Sequence, residues 1–281
     1  MISDSSSAPI LVLGATTACG QFLLDRLKDQ GVRLLAVSRR PPAQADSHVI
    51  WLEQDLDQGA VSIEASVLVS TGPLIHAIQQ LEETPRLGRI VAMSSASTEF
   101  KAQSDDPEER ALIEGLIDQE RRLQARCRQR GVALTLLKPT MIYGGSRNAN
   151  VRRIAALSER LAWIPYCGRG LRQPVHADDL ARLVVRCLGQ GEASAGTWLV
   201  GGGEALDYPA MLARVCSANG RRPRLIRLPS WLMESVLTVA HSLGRLGDIK
   251  AVMLKRQAMD LIVDDSPARE HLDWNPRPFR P

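Results

Sequence analysis

Two groups of residues in this chain have the types and spacing to do chemistry. The first is the run VLGATTACG over 12–20, where Gly14 and Gly20 stand at the outer positions of a glycine turn between an apolar run and a helical pattern. Such a turn seats the diphosphate of a dinucleotide: the first glycine allows the tight bend, and the last lets the helix pack on the strand. At the middle position, where the diphosphate nears the backbone, stands Thr17, with Thr16 before it. Its Cβ narrows the approach, and its hydroxyl is a candidate donor to a phosphate oxygen. A plain strand–turn–helix without a ligand is the competing reading.

The same site is continued by the ends of the next apolar runs. AVSRR places Arg39 and Arg40 where a carboxylate would hold the 2′-hydroxyl of NAD, and guanidinium forks suit the 2′-phosphate of NADP instead. NADP(H) is therefore favoured over NAD(H), against the simpler reading of a solvated arginine pair. EQDLD adds Asp55 and Leu56 as an edge for the adenine, and VSTG adds Ser70, Thr71 and Gly72 beside the adenosine ribose.

The second group holds the candidates for moving a proton or orienting a substrate. Ser94 and Ser95 follow IVAM, and Tyr143 lies in MIYGG. Lys101, His76 and Glu114 are weaker substitutes, each with a solvated or structural alternative. Arg172 and His176 lie in GLRQPVHADDLA, where Arg172 suits either an anionic substrate or an internal acid. The five cysteines are widely spaced with no C-x-x-C, so no metal site and no disulfide framework is expected, and a reducing compartment, the cytoplasm, is the expected location.

These residues need elements to position them. APILVLG, VRLLAVS, HVIWLEQ, ASVLVST, GRIVAMS and VALTLLK are short, apolar and bounded by turns, which predicts buried parallel strands separated by helices. The fold class is α/β, a Rossmann-like doubly wound parallel sheet with a small, discontinuous C-terminal substrate region. The clearest helix spans 107–130, opened by Pro107, striped by Leu112, Leu116, Leu123 and Cys127, and ended by Gly131. The expected division is a dinucleotide-binding part over 1–145, with about 173–200 returning to the sheet, and a mainly substrate-side part over 146–281.

Composition narrows the function classes. A formal charge of +4, spread along the chain among acids, and few aromatics argue against a nucleic-acid partner. The opening MISDSSSAP reads as a polar arm without the apolar core of a signal peptide. The stretch LPSWLMESVLTVAHSLG over 228–244 carries Glu234 and His241 and is too short to span a bilayer, so no transmembrane segment is expected. Its Trp231, Leu232, Val236, Val239 and Leu243 can share one face, which leaves peripheral membrane contact through 229–243 open.

Taken in order, GATTACG, DL, IVAMSSAS, LKPTMIYG and GLRQPVHADDLA resemble the short-chain dehydrogenase/reductase superfamily, in its extended or atypical branch related to the NAD-dependent epimerase/dehydratases. The resemblance covers nearly the whole chain. It implies a serine or threonine after the fifth strand, and a tyrosine and lysine four residues apart on the next helix, which together pass a proton at the substrate oxygen. Ser94 and Ser95 match the first role. With Glu120 near the family's helix glutamate, the tyrosine and lysine places fall near Leu112 and Leu116. The chain's tyrosines are Tyr143, Tyr166 and Tyr208, and no lysine lies between Lys101 and Lys138, so the usual pair is absent.

The resemblance further implies that Tyr143 lines the nicotinamide pocket, that Arg172 and His176 meet a nucleotide-linked substrate, and that helix 107–130 supports a homodimer. The expected function is an NADP(H)-binding atypical short-chain dehydrogenase/reductase, acting as an oxidoreductase or epimerase/dehydratase on a small or nucleotide-linked substrate. The alternatives are a non-catalytic NAD(P)-binding sensor or accessory protein, and a relic of the fold that binds no dinucleotide.

Overall fold

The structure, a computed structural model, describes residues 9–42, 48–145, 149–160, 162–235 and 251–281. The opening arm through residue 8, and Val236, Val239, His241 and Leu243 of the apolar stretch, lie outside the described residues.

Strands β1 (Ile10–Leu13), β2 (Leu34–Ser38), β3 (Val49–Glu53), β4 (Val67–Ser70), β5 (Arg89–Met93) and β6 (Ala133–Pro139) are the six apolar runs of the sequence. The later strands are β7 (Ile142–Tyr143), β8 (Trp163–Tyr166), β9 (Leu171–Arg172), β10 (Val175–His176), β11 (Gly196–Val200), β12 (Leu206–Asp207) and β13 (Arg224–Arg227). Strands β1 to β6 and β11 form one seven-stranded parallel sheet in the order β11-β6-β5-β4-β1-β2-β3. The other strands pair into three two-stranded ribbons.

The helices are α1 (Ala18–Lys28), α2 (Leu74–Glu83), α3 (Ser97–Phe100), α4 (Pro107–Arg130), α5 (Ala149–Arg160), α6 (Ala177–Gln190), α7 (Tyr208–Ala218), α8 (Ala251–Gln257) and α9 (Ser266–Leu272). Side chains alternate across each strand, so one apolar run serves two cores. Ile10, Val12, Leu34, Ala36, Val69 and Val91 pack with α1 and α6. Leu11, Leu13, Leu35, Leu68, Ile90 and Leu136 pack on the other face with α2 and α4. This two-sided burial gives a Rossmann-like α/β fold, with its strand ends gathered along one edge.

Local chemistry explains α4. Asp106 caps it by accepting from the Glu108 amide at 3.0 Å, Pro107 fills the first turn, Arg128 and Arg130 lie in the last turn, and Gly131 ends it at φ 66°. Its buried stripe is Ile113, Glu120, Leu123 and Cys127, with Leu116 partly covered. Leu112, expected in that stripe, is 70% exposed, because it sits one residue out of phase with Ile113. Among the described residues no helix is long and apolar enough to cross a membrane.

The C-terminal segment is clamped to α1 and α6 by charge. Fully buried Asp179 accepts from the Arg277 amide and Nε, each at 2.9 Å, and from Arg182 Nη2 at 2.9 Å. Asp178 bridges Arg26, at 2.6 Å, and Arg277, at 2.6 Å. Burial by itself would raise the Asp178 carboxyl, but the hydrogen bonds and charges of Arg277 and Arg26 outweigh it and hold the group below the usual carboxylate range. Its contribution to stability is therefore present above the unfolded aspartate pKa, about 3.9, and is lost as pH falls below that through the depressed folded value.

Replacing Asp179 by Ala should destabilise the protein by about 1–2 kcal/mol, since it removes the buried acceptor of the Arg277 amide while the partly exposed guanidinium groups of Arg182 and Arg277 can turn to water. Chemical denaturation would show a midpoint shift of that size, and an unchanged midpoint would contradict the clamp.

Candidate functional site

At the sheet edge, the turn after β1 meets the turn after β4. Gly14 has φ 72°, and a Cβ there would lie 2.7 Å from the Gly72 nitrogen and 2.9 Å from Thr71 Oγ1. A Cβ on Gly20 would lie 2.3 Å from the Gly14 oxygen, so both outer glycines are set by close backbone approach.

Thr17 has ordinary extended backbone, φ −69° and ψ 163°, and caps α1: its Oγ1 accepts from the Gly20 amide at 3.0 Å. The same Oγ1 lies 2.8 Å from Thr71 Oγ1, which donates to the Gly14 carbonyl at 2.9 Å. With the Thr71 proton on Gly14, the proton between the two hydroxyls belongs to Thr17. The chain Gly20 N–H, Thr17, Thr71, Gly14 C=O is closed, and the Thr17 hydroxyl is directed into the protein. A donated bond from Thr17 to phosphate, expected from the sequence, is replaced here by this internal chain. The amides of Ala18 and Cys19, in the first turn of α1, have no intrahelical acceptor and lie where the positive end of the helix favours an anion. Gly145, in the loop after β7, packs against Ala18 and bounds the same space.

The remaining cofactor candidates lie along the edge. Arg39 is exposed, with Nη1 4.0 Å from Asp57 Oδ2, and Asp57 also meets His76 Nε2 at 2.9 Å. The Arg40 amide donates to Ser38 Oγ at 3.1 Å, and its side chain is exposed. Asp55 Oδ1 accepts from the Asp57 amide at 3.2 Å, and Leu56 packs partly against the α2–α4 core. Ser70 is fully buried, with no hydrogen-bond partner for its hydroxyl, so at this corner Thr71 and Gly72 hold the surface.

The proton-moving candidates are drawn into the protein. Ser94 donates to Glu120 Oε1, and Lys138 Nζ lies 2.5 Å from Glu99 Oε1 and 3.1 Å from Glu120 Oε2. Ser95 and Ser97 share a hydrogen bond of 2.9 Å. Tyr143 is buried, donates to the Pro278 carbonyl at 3.3 Å and accepts from the Arg280 amide at 3.2 Å. Burial raises its pKa further from neutrality. His176 sits between Phe22 and Tyr143, accepts at Nδ1 from the Asp178 amide at 3.0 Å, and has its pKa lowered by burial and then by Arg277. Arg172 donates to the carbonyls of Leu171 at 2.8 Å, Met259 at 2.7 Å and Arg256 at 2.5 Å, which ties β9 to the α8 end. Lys101 pairs with Glu109 at 3.2 Å, and Glu114 is exposed on α4.

Sequence reading did not select Lys138 and Glu99. Their signal was a lysine within the apolar run LTLLKP, since lysine is rarely buried unless paired.

No protein-family model matches the chain. Its residues are 23% identical over 159 positions to UDP-glucose 4-epimerase of Vibrio cholerae, covering 56% of this chain and 46% of that protein. They are 26% identical over 255 positions to the chloroplast stem-loop binding protein of 41 kDa b of Arabidopsis thaliana, covering 79% of this chain and 66% of that protein. The chain thus matches about half to two-thirds of the length of these curated relatives. The structure superposes on UDP-N-acetylglucosamine 4-epimerase from Bacillus cereus with TM-score 0.68 and 16% identity, covering 97% of this chain and 92% of that one. It also superposes on UDP-glucuronic acid 4-epimerase from Bacillus cereus, solved with NAD, with TM-score 0.70 and 15% identity, covering 96% and 92%. The chain shares the Rossmann-like α/β fold of these epimerases. The long helix between β5 and β6 is α4, which follows the short α3, and it carries Leu112 and Leu116, the places that the sequence resemblance implies for the tyrosine and lysine.

The Thr17 chain of bonds makes its own test. Thr17→Val should lower stability by about 1 kcal/mol through loss of the cap, while Thr17→Ser, which keeps the hydroxyl, should stay close to the parent. Thermal melts would contradict the assignment if valine and serine behaved alike.

Proposed function

We propose that this chain binds a nicotinamide dinucleotide across the turns after β1 and β4, and that it works without the family's tyrosine–lysine proton relay. The observation that carries this reading is the pairing of a retained phosphate turn with Leu112 and Leu116 on α4. Gly14 and Gly20 give the backbone its close fit, and the Ala18 and Cys19 amides would receive a diphosphate oxygen. Thr17 narrows the approach but bends its hydroxyl back onto α1, so the N-terminal amides ahead of Gly20 stay available. A bound nicotinamide supplies hydride chemistry. This chain's own residues hold and orient it, and offer neither a free tyrosine hydroxyl nor a cleft lysine at the implied relay places. The role that fits is a cofactor-binding sensor or accessory protein.

For the finer choice of cofactor, Arg39 and Arg40 support NADP(H) over NAD(H), with Arg40 the stronger candidate because Arg39 leans toward Asp57. The Bacillus cereus neighbour was solved with NAD, so the choice here rests on these arginines.

A catalytic reading has one observation in its favour, the hydrogen-bonded group of Ser94, buried Glu120 and Lys138, and exposed Glu99 beside the ends of β5 and β6. In that reading Ser94 orients the oxygen of a small or nucleotide-linked substrate such as a UDP-sugar, and the proton comes through Glu99 and Lys138. Nicotinamide turnover with UDP-sugars, abolished by Lys138→Met in a folded variant, would favour it over the sensor.

Thermal-shift titration with NAD, NADH, NADP and NADPH tests the main reading. A ligand at a hundredfold its Kd should add about 2.7 kcal/mol to stability. NADP and NADPH should stabilise most, and replacing Arg39 and Arg40 by Ala should weaken these much more than NAD. Equal losses for both cofactors would remove the 2′-phosphate assignment, and no shift with any of the four would overturn dinucleotide binding.

A further inference from the structure

The β8–β13 ribbon has a chemistry that cofactor binding does not use. Its parallel register sets Arg224 beside Trp163 and Ile226 beside Pro165. Since residues two apart in a strand share a face, Trp163, Pro165, Arg224 and Ile226 lie on one side of the ribbon. The other side packs inward through Ile164 and Leu225 against Leu212 and Cys216. Trp163 is 48% exposed and Ile226 is 40% exposed, so this one face holds two large apolar side chains open to water.

Four arginines lie on or next to this ribbon: Arg221 and Arg222 just before it, Arg224 on the Trp163 face and Arg227 on the face of Leu225. Arg221, Arg222, Arg224 and Arg227 are all exposed, and among the described residues none of their guanidinium groups forms an ion pair. Elsewhere in the fold exposed arginines are commonly paired, as Arg169 is with Asp207 and Arg214 with Glu204. Just beyond the ribbon, Trp231 is 67% exposed while Met233, two residues on, is buried against Cys167 and Leu254.

We propose that this face is a docking surface for an anionic lipid bilayer. Tryptophan sits well at the headgroup level, where its ring is apolar and its N–H is wet. Unpaired arginines match anionic headgroups, and Ile226 adds apolar area between them. A ribbon serving only itself would cover Trp163 and Ile226 or surround them with acids. The arginines would also guard the free edge of β13 against pairing with another strand, and that smaller role is what remains if the proposal fails. A structured RNA could use the same arginines and tryptophans. The aliphatic Ile226 and Pro165 on the shared face favour lipid, because they offer apolar area that stacks on no base.

The test is co-sedimentation of the full chain with two kinds of vesicle, pure phosphatidylcholine and phosphatidylcholine with about one-third phosphatidylglycerol. Binding should occur with the anionic vesicles alone and should fall steeply as salt shortens the screening length. Replacing Arg222 and Arg224 by Gln should weaken partitioning by roughly 25-fold, about fivefold for each charge near the surface. Trp163→Phe should remove part of the blue shift in tryptophan fluorescence seen on adding anionic vesicles. Arg222, Arg224 and Trp163 are all exposed, and the salt dependence of the parent needs no variant at all. Absence of vesicle binding, equal binding to neutral and anionic vesicles, or binding indifferent to the arginine substitutions would overturn the proposal. Binding of a stem-loop RNA by fluorescence polarisation, with no vesicle binding, would overturn it in favour of RNA.

Discussion

The site depends on the contact between two turns, where the Gly14 carbonyl receives both the Thr17 amide, at 2.9 Å, and the Thr71 hydroxyl, at 2.9 Å. The Thr71 bond fixes the end of β1 against the end of β4, and the two turns come this close because Gly14 has no side chain: a Cβ there would lie 2.7 Å from the Gly72 nitrogen. With that corner fixed, α1 starts where its cap bonds are made, and Gly145 packs against Ala18 in its first turn. A threonine at the middle of the glycine turn is compatible with this geometry because its backbone is extended and its hydroxyl serves the helix.

The other polar side chains follow a different constraint. A charge taken out of water must be paired and hydrogen-bonded, or it destabilises the fold. Asp179 meets that demand with Arg277 and Arg182, Lys138 with Glu99 and Glu120, and Arg172 with three backbone carbonyls. Each of these bonds holds one part of the chain to another: the C-terminal segment to α6, the α3 turn to β6, and β9 to the end of α8. Residues tied in this way position a site more readily than they react in it. This is why we propose cofactor holding ahead of proton transfer.

Much of this was legible in the sequence, and the reasons are local. The six apolar runs are short and turn-bounded, which is what strands buried on both faces require, and Pro107 and Gly131 mark both ends of α4. The turn from 14 to 20 was readable from its outer glycines. The role of Thr17 was within reach of the same local rules, since a threonine just before a helix commonly caps it. Leu112 was misplaced because one residue of phase turns a helix by about 100°. Arg172 shows the limit of local reading: its partners Arg256 and Met259 lie more than eighty residues away, and nothing near GLRQP signals that its guanidinium is spent on backbone. Tyr143 is similar, because the backbone groups that take up its hydroxyl come from the chain's last residues.

The central claim is that a dinucleotide diphosphate lies over the start of α1. Hydrogen–deuterium exchange read by peptide mass, with saturating NADP and without it, tests this at the backbone groups themselves. The account predicts slowed exchange confined mainly to 14–20 and 70–73, where the Ala18 and Cys19 amides gain an acceptor and the two turns are held together. Unchanged exchange at 14–20 while other segments become protected would place the nucleotide elsewhere and contradict the account.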